Sequence, residues 1–161
     1  MGSSGAALAA ATSPPRVASA RVTTGDVALP QTSNAWASLA GFELSIPAAV
    51  GEWVEIAVTG MSAPAANSFL DVAVKVSNSL VRFLSLGTGT PAAEGEPSLY
   101  PQPTAFRTFG LGAKGFVVES GDLDGGNVRF VLAVKAAGSG TLYASTIYPF
   151  YWRAVNLRAP A

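Results

Sequence analysis

Two carboxylates at i and i+2, Asp122 and Asp124, stand with Asn127 in the loop Gly121-Asp122-Leu123-Asp124-Gly125-Gly126-Asn127. Oxygen ligands at that spacing could begin a calcium loop, but the further acids and terminal bidentate Glu of an EF-hand are missing. The same residues suit a turn, because Asp and Asn tolerate left-handed backbone and glycine supplies positive φ. The loop is therefore read as a turn, with a metal site as the alternative. Glycoside cleavage needs two acids facing each other across a cleft. Glu52 and Glu55 fall on opposite faces of one strand, and Glu94 and Glu96 share a loop, so no such pair stands out. The cluster Gly110-Leu111-Gly112-Ala113-Lys114-Gly115 lacks the Gly-Lys-Ser/Thr ending of a phosphate loop and is read as a turn.

The chain has no histidine and no cysteine. That removes the commonest general base and excludes thiolate metal sites, disulfides and Ser-His-Asp or Cys-His catalysis within the chain. The expectation is a protein that is not an enzyme and carries no cofactor. Trp36, Trp53, Tyr100, Tyr143, Tyr148 and Tyr151 could stack on sugars if exposed together. In a sandwich such side chains more often serve the core or a subunit interface.

Charged residues are 12% of the chain and hydrophobic residues 49%. The charged fraction is about half of the roughly 25% usual in soluble domains. Lys plus Arg number 10 and Asp plus Glu 10, so bulk charge gives no reason to bind nucleic acid or an anionic membrane. No apolar run approaches the ~20 residues of a membrane helix. The patch Ala6 to Ala11 lacks the basic residues that would precede it in a signal peptide. The 161 residues suit one domain with its own core.

The elements that would position these groups are strands. Residues 1–24 are rich in Ala, Ser, Thr and Gly, hold Arg16 and Arg21 with no acid, and contain Pro14-Pro15. They are expected to form an N-terminal arm, flexible or ordered by a partner, with Pro14, Pro15, Arg16 and Arg21 as its contact residues. The sandwich domain is expected over 25–161. Asn34 to Gly41 shows no purely apolar parity, whereas Phe42, Leu44 and Ile46 alternate cleanly and stop at Pro47.

Val54, Ile56 and Val58 face inward, leaving Trp53 outside to cover an edge or an interface. Leu70, Val72, Val74 and Val76 alternate with Asp71, Ala73, Lys75 and Ser77, and residues 80–86 return as a partner strand. Residues 87–104, with Glu94, Glu96 and Tyr100, are the candidate exposed recognition loop. Two short strands are expected within 105–120. Val128, Phe130, Leu132 and Val134 then point inward, and Arg129, Val131, Ala133 and Lys135 outward. The aromatic segment Phe150 to Trp152 predicts a central buried strand, with Trp53, Tyr148, Phe150 and Trp152 as core or trimer aromatics. About eight to ten strands at this spacing, without βαβ alternation, predict an all-β antiparallel sandwich.

Two stretches carry a further likeness: TTGDVALPQTSNAWASLAGFELSIPAAVGEWVEIAVTGM and ESGDLDGGNVRFVLAVKAAGSGTLYASTIYPFYWRAVNL. Their hydrophobic and glycine positions resemble a β-sandwich domain of structural proteins of actinobacterial tailed bacteriophages, over residues 24–158. The resemblance implies a jelly-roll or tumour-necrosis-factor-like sandwich that commonly trimerises. It implies a minor capsid protein on the capsid exterior of the virion. Lack of a coiled-coil or collagen-like shaft favours a capsid decoration protein with two partners, itself as a homotrimer and the major capsid protein. The alternative is a tail-tip or head-fibre module that binds a host surface glycan.

Overall fold

Strands here begin where β-branched and apolar residues alternate with polar ones. They end at proline, at glycine pairs or at small polar turns. The computed structural model describes residues 14–30, 32, 35–63, 68–84, 107–136 and 140–158. Among the described residues eleven strands follow in order. These are β1 (Arg16–Val22), β2 (Val27–Leu29), β3 (Ala37–Pro47), β4 (Trp53–Ala63), β5 (Ser68–Val76), β6 (Ser79–Phe83), β7 (Arg107–Val117), β8 (Leu123–Asp124), β9 (Asn127–Ala136), β10 (Gly140–Tyr143) and β11 (Phe150–Asn156). One short 3-10 turn, Ser120–Asp122, precedes β8.

Every strand pairing is antiparallel. One sheet runs β1-β11-β4-β10-β2, with β7 on the other edge of β4; the second runs β3-β9-β5-β6, with β8 on β9. The architecture is the expected all-β, jelly-roll-like sandwich. Its core lies between the sheets. Val54, Ile56 and Val58 of β4 meet Phe150, Trp152 and Ala154 of β11 on one side. Phe42, Ile46, Leu70, Val72, Val74, Val128, Phe130, Leu132 and Val134 come from the other. Strict period-two alternation puts these residues on one face, and full burial of each large one contributes about 1.5–3 kcal/mol.

Two expectations need correction, the extent of the arm and the turn at glycines 110–115. Arg16–Val22 is not arm but edge strand β1, in register with β11 from Arg16↔Asn156 to Val22↔Phe150. Its small residues Ala18 and Ala20, with Val22, pack against the core, so low hydrophobicity did not prevent folding. The sandwich therefore begins at Arg16 rather than at residue 25, and residues 1–13 lie outside the described residues. The glycine cluster 110–115 is not a turn. It lies inside the single strand β7, which replaces the two short strands expected there. Between Ile56↔Lys114 and Val58↔Leu111 the register slips, so β7 carries one extra residue, a β-bulge.

The mixed parity before Phe42 marks an irregularity of the β3–β9 ladder, where the four residues between Ser38 and Glu43 stand against one of β9. Gly41 sits there at φ +82°, a conformation natural to glycine. Leu39 and Phe42, of opposite parity, are consequently both buried. Finally, the outward Ala73, Val131 and Ala133 are not solvated. With Phe83 they form a second buried cluster on the outer face of the five-stranded sheet, flanked by Trp36 and Leu80. Trp36 packs on Phe83 at 5.1 Å between ring centroids.

Candidate functional site

The acidic loop is a structural junction. Asp122 is almost wholly buried and accepts two hydrogen bonds from Arg82, from Nε at 2.9 Å and Nη2 at 3.1 Å. It also accepts the Glu119 backbone N–H at 2.8 Å. Arg82 lies 4.6 Å over the Phe116 ring, so the pair ties β6 to the end of β7. Asp124 pairs with Arg129 at 3.3 Å and accepts the Ser77 N–H at 3.2 Å. The carboxylates thus face guanidinium and N–H donors, a positive surrounding that suits an anion rather than a cation. Glycine at 125 and 126 has positive φ, as the turn reading requires.

Glu52 does a similar task at the opposite seam. Its Oε2 accepts Asn156 Nδ2 at 2.7 Å and the Ala49 N–H at 2.8 Å, while Asn156 Nδ2 also donates to the Pro47 carbonyl at 2.9 Å. The Asn156 amide is the main influence holding the Glu52 carboxyl below its ordinary value. Burial is the next influence and opposes it, and the Ala49 N–H, Arg16 and Arg158 add to the lowering. A lowered folded-state pKa gives stability that is present above the unfolded-state pKa and is lost as pH falls through the folded one. Wild type should therefore be more stable than Glu52→Gln near neutrality, and the gap should close below about pH 4. Urea midpoints of both proteins across that range check this; a constant gap would remove the carboxylate from the account.

The surface suited to contact is the outer face of the six-stranded sheet. Tyr151 of β11 pairs with Thr59 and Tyr143 of β10 pairs with Met61, two residues further along β4. Period two therefore raises both rings from the same face. Tyr148, in the β10–β11 connection, meets Tyr143 edge-on at 6.1 Å. Arg21 of β1 lies 5.8 Å over the Tyr151 ring and donates to the Thr146 carbonyl at 3.5 Å. Tyr151 is 45% exposed, Tyr148 41% and Ile147, between them in sequence, 76%. Lower on the same face, the β4–β7 bulge opens a pocket of about 160 Å³ lined by Glu55, Ile56, Ala57, Ala113, Arg153 and Val155.

The predicted site residues separate accordingly. Pro14 and Pro15 are exposed ahead of β1. Arg16 and Arg21 belong to β1, and Arg21 is engaged by its own sheet. Phe150 and Trp152 are buried core residues, not interface residues. Trp53 is half-buried on the outer face; its Nε1 donates to Glu55 at 2.8 Å, and its ring lies on β7, where a Cβ at Gly115 would come within 2.6 Å of it. Glu94, Glu96 and Tyr100 lie outside the described residues. Of the aromatics considered for sugar stacking, Tyr143, Tyr148 and Tyr151 come together. Trp36 stands on the other sheet, beside a groove of about 610 Å³ that it lines with Ser38, Asn78, Ser79, Leu80 and Phe83. Ile147 and Arg153 were not singled out in the sequence. A lone branched aliphatic in the turn-rich connection Ser145-Thr146-Ile147-Tyr148-Pro149 was the available signal for the first.

No protein-family model matches the chain. No curated protein matches it either. Among solved structures, the Eiger TNF of S. frugiperda superposes at TM-score 0.49 and 12% identity over 92% of this chain and 96% of that one. The infectious bursal disease virus Gx strain gives 0.41 and 12% over 93% of this chain and 38% of that one. The VP2 subviral particle of that virus gives 0.39 and 14% over 91% and 38%. The chain thus spans 38% of the length of each viral protein. At these scores and identities the likenesses carry no argument about what the chain does.

Proposed function

We propose that this chain is a non-enzymatic structural protein of a virion, a capsid decoration protein. In this reading it associates with itself, as a homotrimer, and binds the major capsid protein on the outer shell. The observation that carries the contact role is the patch of exposed Tyr148 and Tyr151 beside half-buried Tyr143, with Arg21 and Ile147. Tyrosine and arginine are enriched where protein surfaces bury each other, and a chain with few charges offers little else to keep such a face in water. The placement on a phage capsid comes from the sequence resemblance. The acids support a non-catalytic reading, since Asp122, Asp124, Glu52 and Glu55 each hold a partner within the fold.

Native mass by light scattering over a dilution series tests self-association. A trimer is the expected result, and Tyr151→Glu should weaken it by about tenfold or more. A monomer at every concentration would remove the homotrimer. Capsid binding is tested by deleting residues 1–13. Deletion through residue 22 would remove strand β1 and confound binding with folding. A truncated protein that decorates shells as well as the full chain would overturn the arm's role.

The Trp36 groove favours a second reading, glycan binding, because its size and mixed aromatic and hydroxyl lining suit a small polar ligand. Titration with neutral disaccharides, followed by the Trp36 indole N–H resonance, tests it. No shift at millimolar sugar counts against this reading.

A further inference from the structure

The six-stranded sheet carries a hole on its outer face and a knob in the connection between two of its strands. The knob is Ile147, the most exposed large hydrophobic side chain among the described residues, in the connection between β10 and β11. The hole is the pocket at the β4–β7 bulge, about 160 Å³, with the side chains of Ala57, Ala113 and Val155 as its apolar lining. Cavities of that order accept a benzene-sized group, so a single branched aliphatic side chain fits. A bulge that opens a pocket on an otherwise continuous sheet face is a local feature, not a by-product of pairing.

We infer that a second copy of this chain docks head to tail, seating its Ile147 in the first copy's bulge pocket. The inference rests on the self-association proposed above and names the contact that makes it. Charge and ring placement agree with this occupant. Arg153 at the pocket is exposed and has no ion-pair partner among the described residues, and the knob side presents the exposed Tyr148 ring for it to cover. Arg21, which donates to the Thr146 carbonyl next to the knob, brings a positive charge to the acidic rim at Glu55. In the head-to-tail arrangement each contact uses one knob and one hole and leaves the other pair free, so repetition closes a ring when the rotation between copies permits.

The test uses the full chain with two variants. Ile147→Asp spoils the knob on an exposed loop, and Ala113→Phe fills the hole from an exposed position of β7. Each should weaken self-association at least about 30-fold in the dilution series while leaving the urea midpoint, measured at concentrations where wild type is dissociated, unchanged. Mixed together, they should form a one-to-one heterodimer that grows no further, because the first keeps an intact hole and the second an intact knob. A wild-type oligomer that survives Ile147→Asp with less than about a threefold change in affinity would overturn this contact and leave self-association standing. So would a mixture that stays monomeric. A wild type that is monomeric throughout overturns both.

Discussion

Trp152→Ala should destabilise the fold by about 3–5 kcal/mol, a large part of the roughly 5–15 kcal/mol that holds a domain of this kind together. Trp152 is only 2% exposed. Its strand is paired on both sides, at Ala20 of β1 and Val58 of β4, so neighbouring backbone cannot collapse into the cavity left behind. The indole also packs edge-on against Phe150 at 4.9 Å, and Phe150 in turn meets Phe42 across the sandwich at 5.3 Å. Its Nε1 is buried with no hydrogen-bond partner among the described residues. Trp152→Phe therefore loses volume but no hydrogen bond, and should cost much less than Trp152→Ala. Urea unfolding of the two variants measures the contrast. A loss below about 1 kcal/mol for Trp152→Ala would show that the residue is not part of a close-packed core. Trp152→Phe should also keep the native mass of the wild type, since the side chain faces the other sheet and not another copy.

Asp122→Ala should cost about 3–5 kcal/mol, the range for breaking one side of a buried ion pair. The lost carboxylate leaves the Arg82 guanidinium, 15% exposed, without its two short hydrogen bonds, and strands the Glu119 N–H. Glu119 offers Arg82 only a longer contact, 3.7 Å, from a largely exposed side chain. Removing both partners together, as Arg82→Leu with Asp122→Leu, should cost clearly less than the sum of the single changes, because neither charge is then left unpaired. A double-mutant cycle on urea unfolding checks this. Strict additivity would mean that the pair contributes nothing as a pair. Addition of calcium should not restore Asp122→Ala, since the carboxylate's work is to hold an arginine.

Much of this architecture was legible before any coordinates. Alternation over Phe42–Ile46, Val54–Val58, Leu70–Val74 and Val128–Val134 assigned the inward faces, because a side chain's face in a strand follows from counting by two. Breakers such as Pro47 and the Gly125-Gly126 turn marked where counting restarts. The absence of histidine and cysteine limited the chemistry without reference to any fold. The aromatic run at Phe150 and Trp152 announced a buried strand, as found.

What the sequence could not contain is the neighbour of each strand. Arg16–Val22 is nearly indistinguishable in composition from the residues before it, yet it is a strand because β11 offers it a free edge. Glycines 110–115 look like a turn, but β4 draws them into a bulged strand, and the bulge opens the pocket. Val131 and Ala133 count as outward, yet they are buried because Trp36 and Phe83 cover them. Asp122 finds Arg82 forty positions away in sequence. Tyr143, Tyr148, Tyr151 and Arg21 form one surface only because β10, β11 and β1 lie along the same flank of β4. Local alternation is a property of neighbouring residues and is written in their order. Register, bulges and the convergence of distant side chains depend on pairings between segments far apart, and the tertiary structure alone decides those.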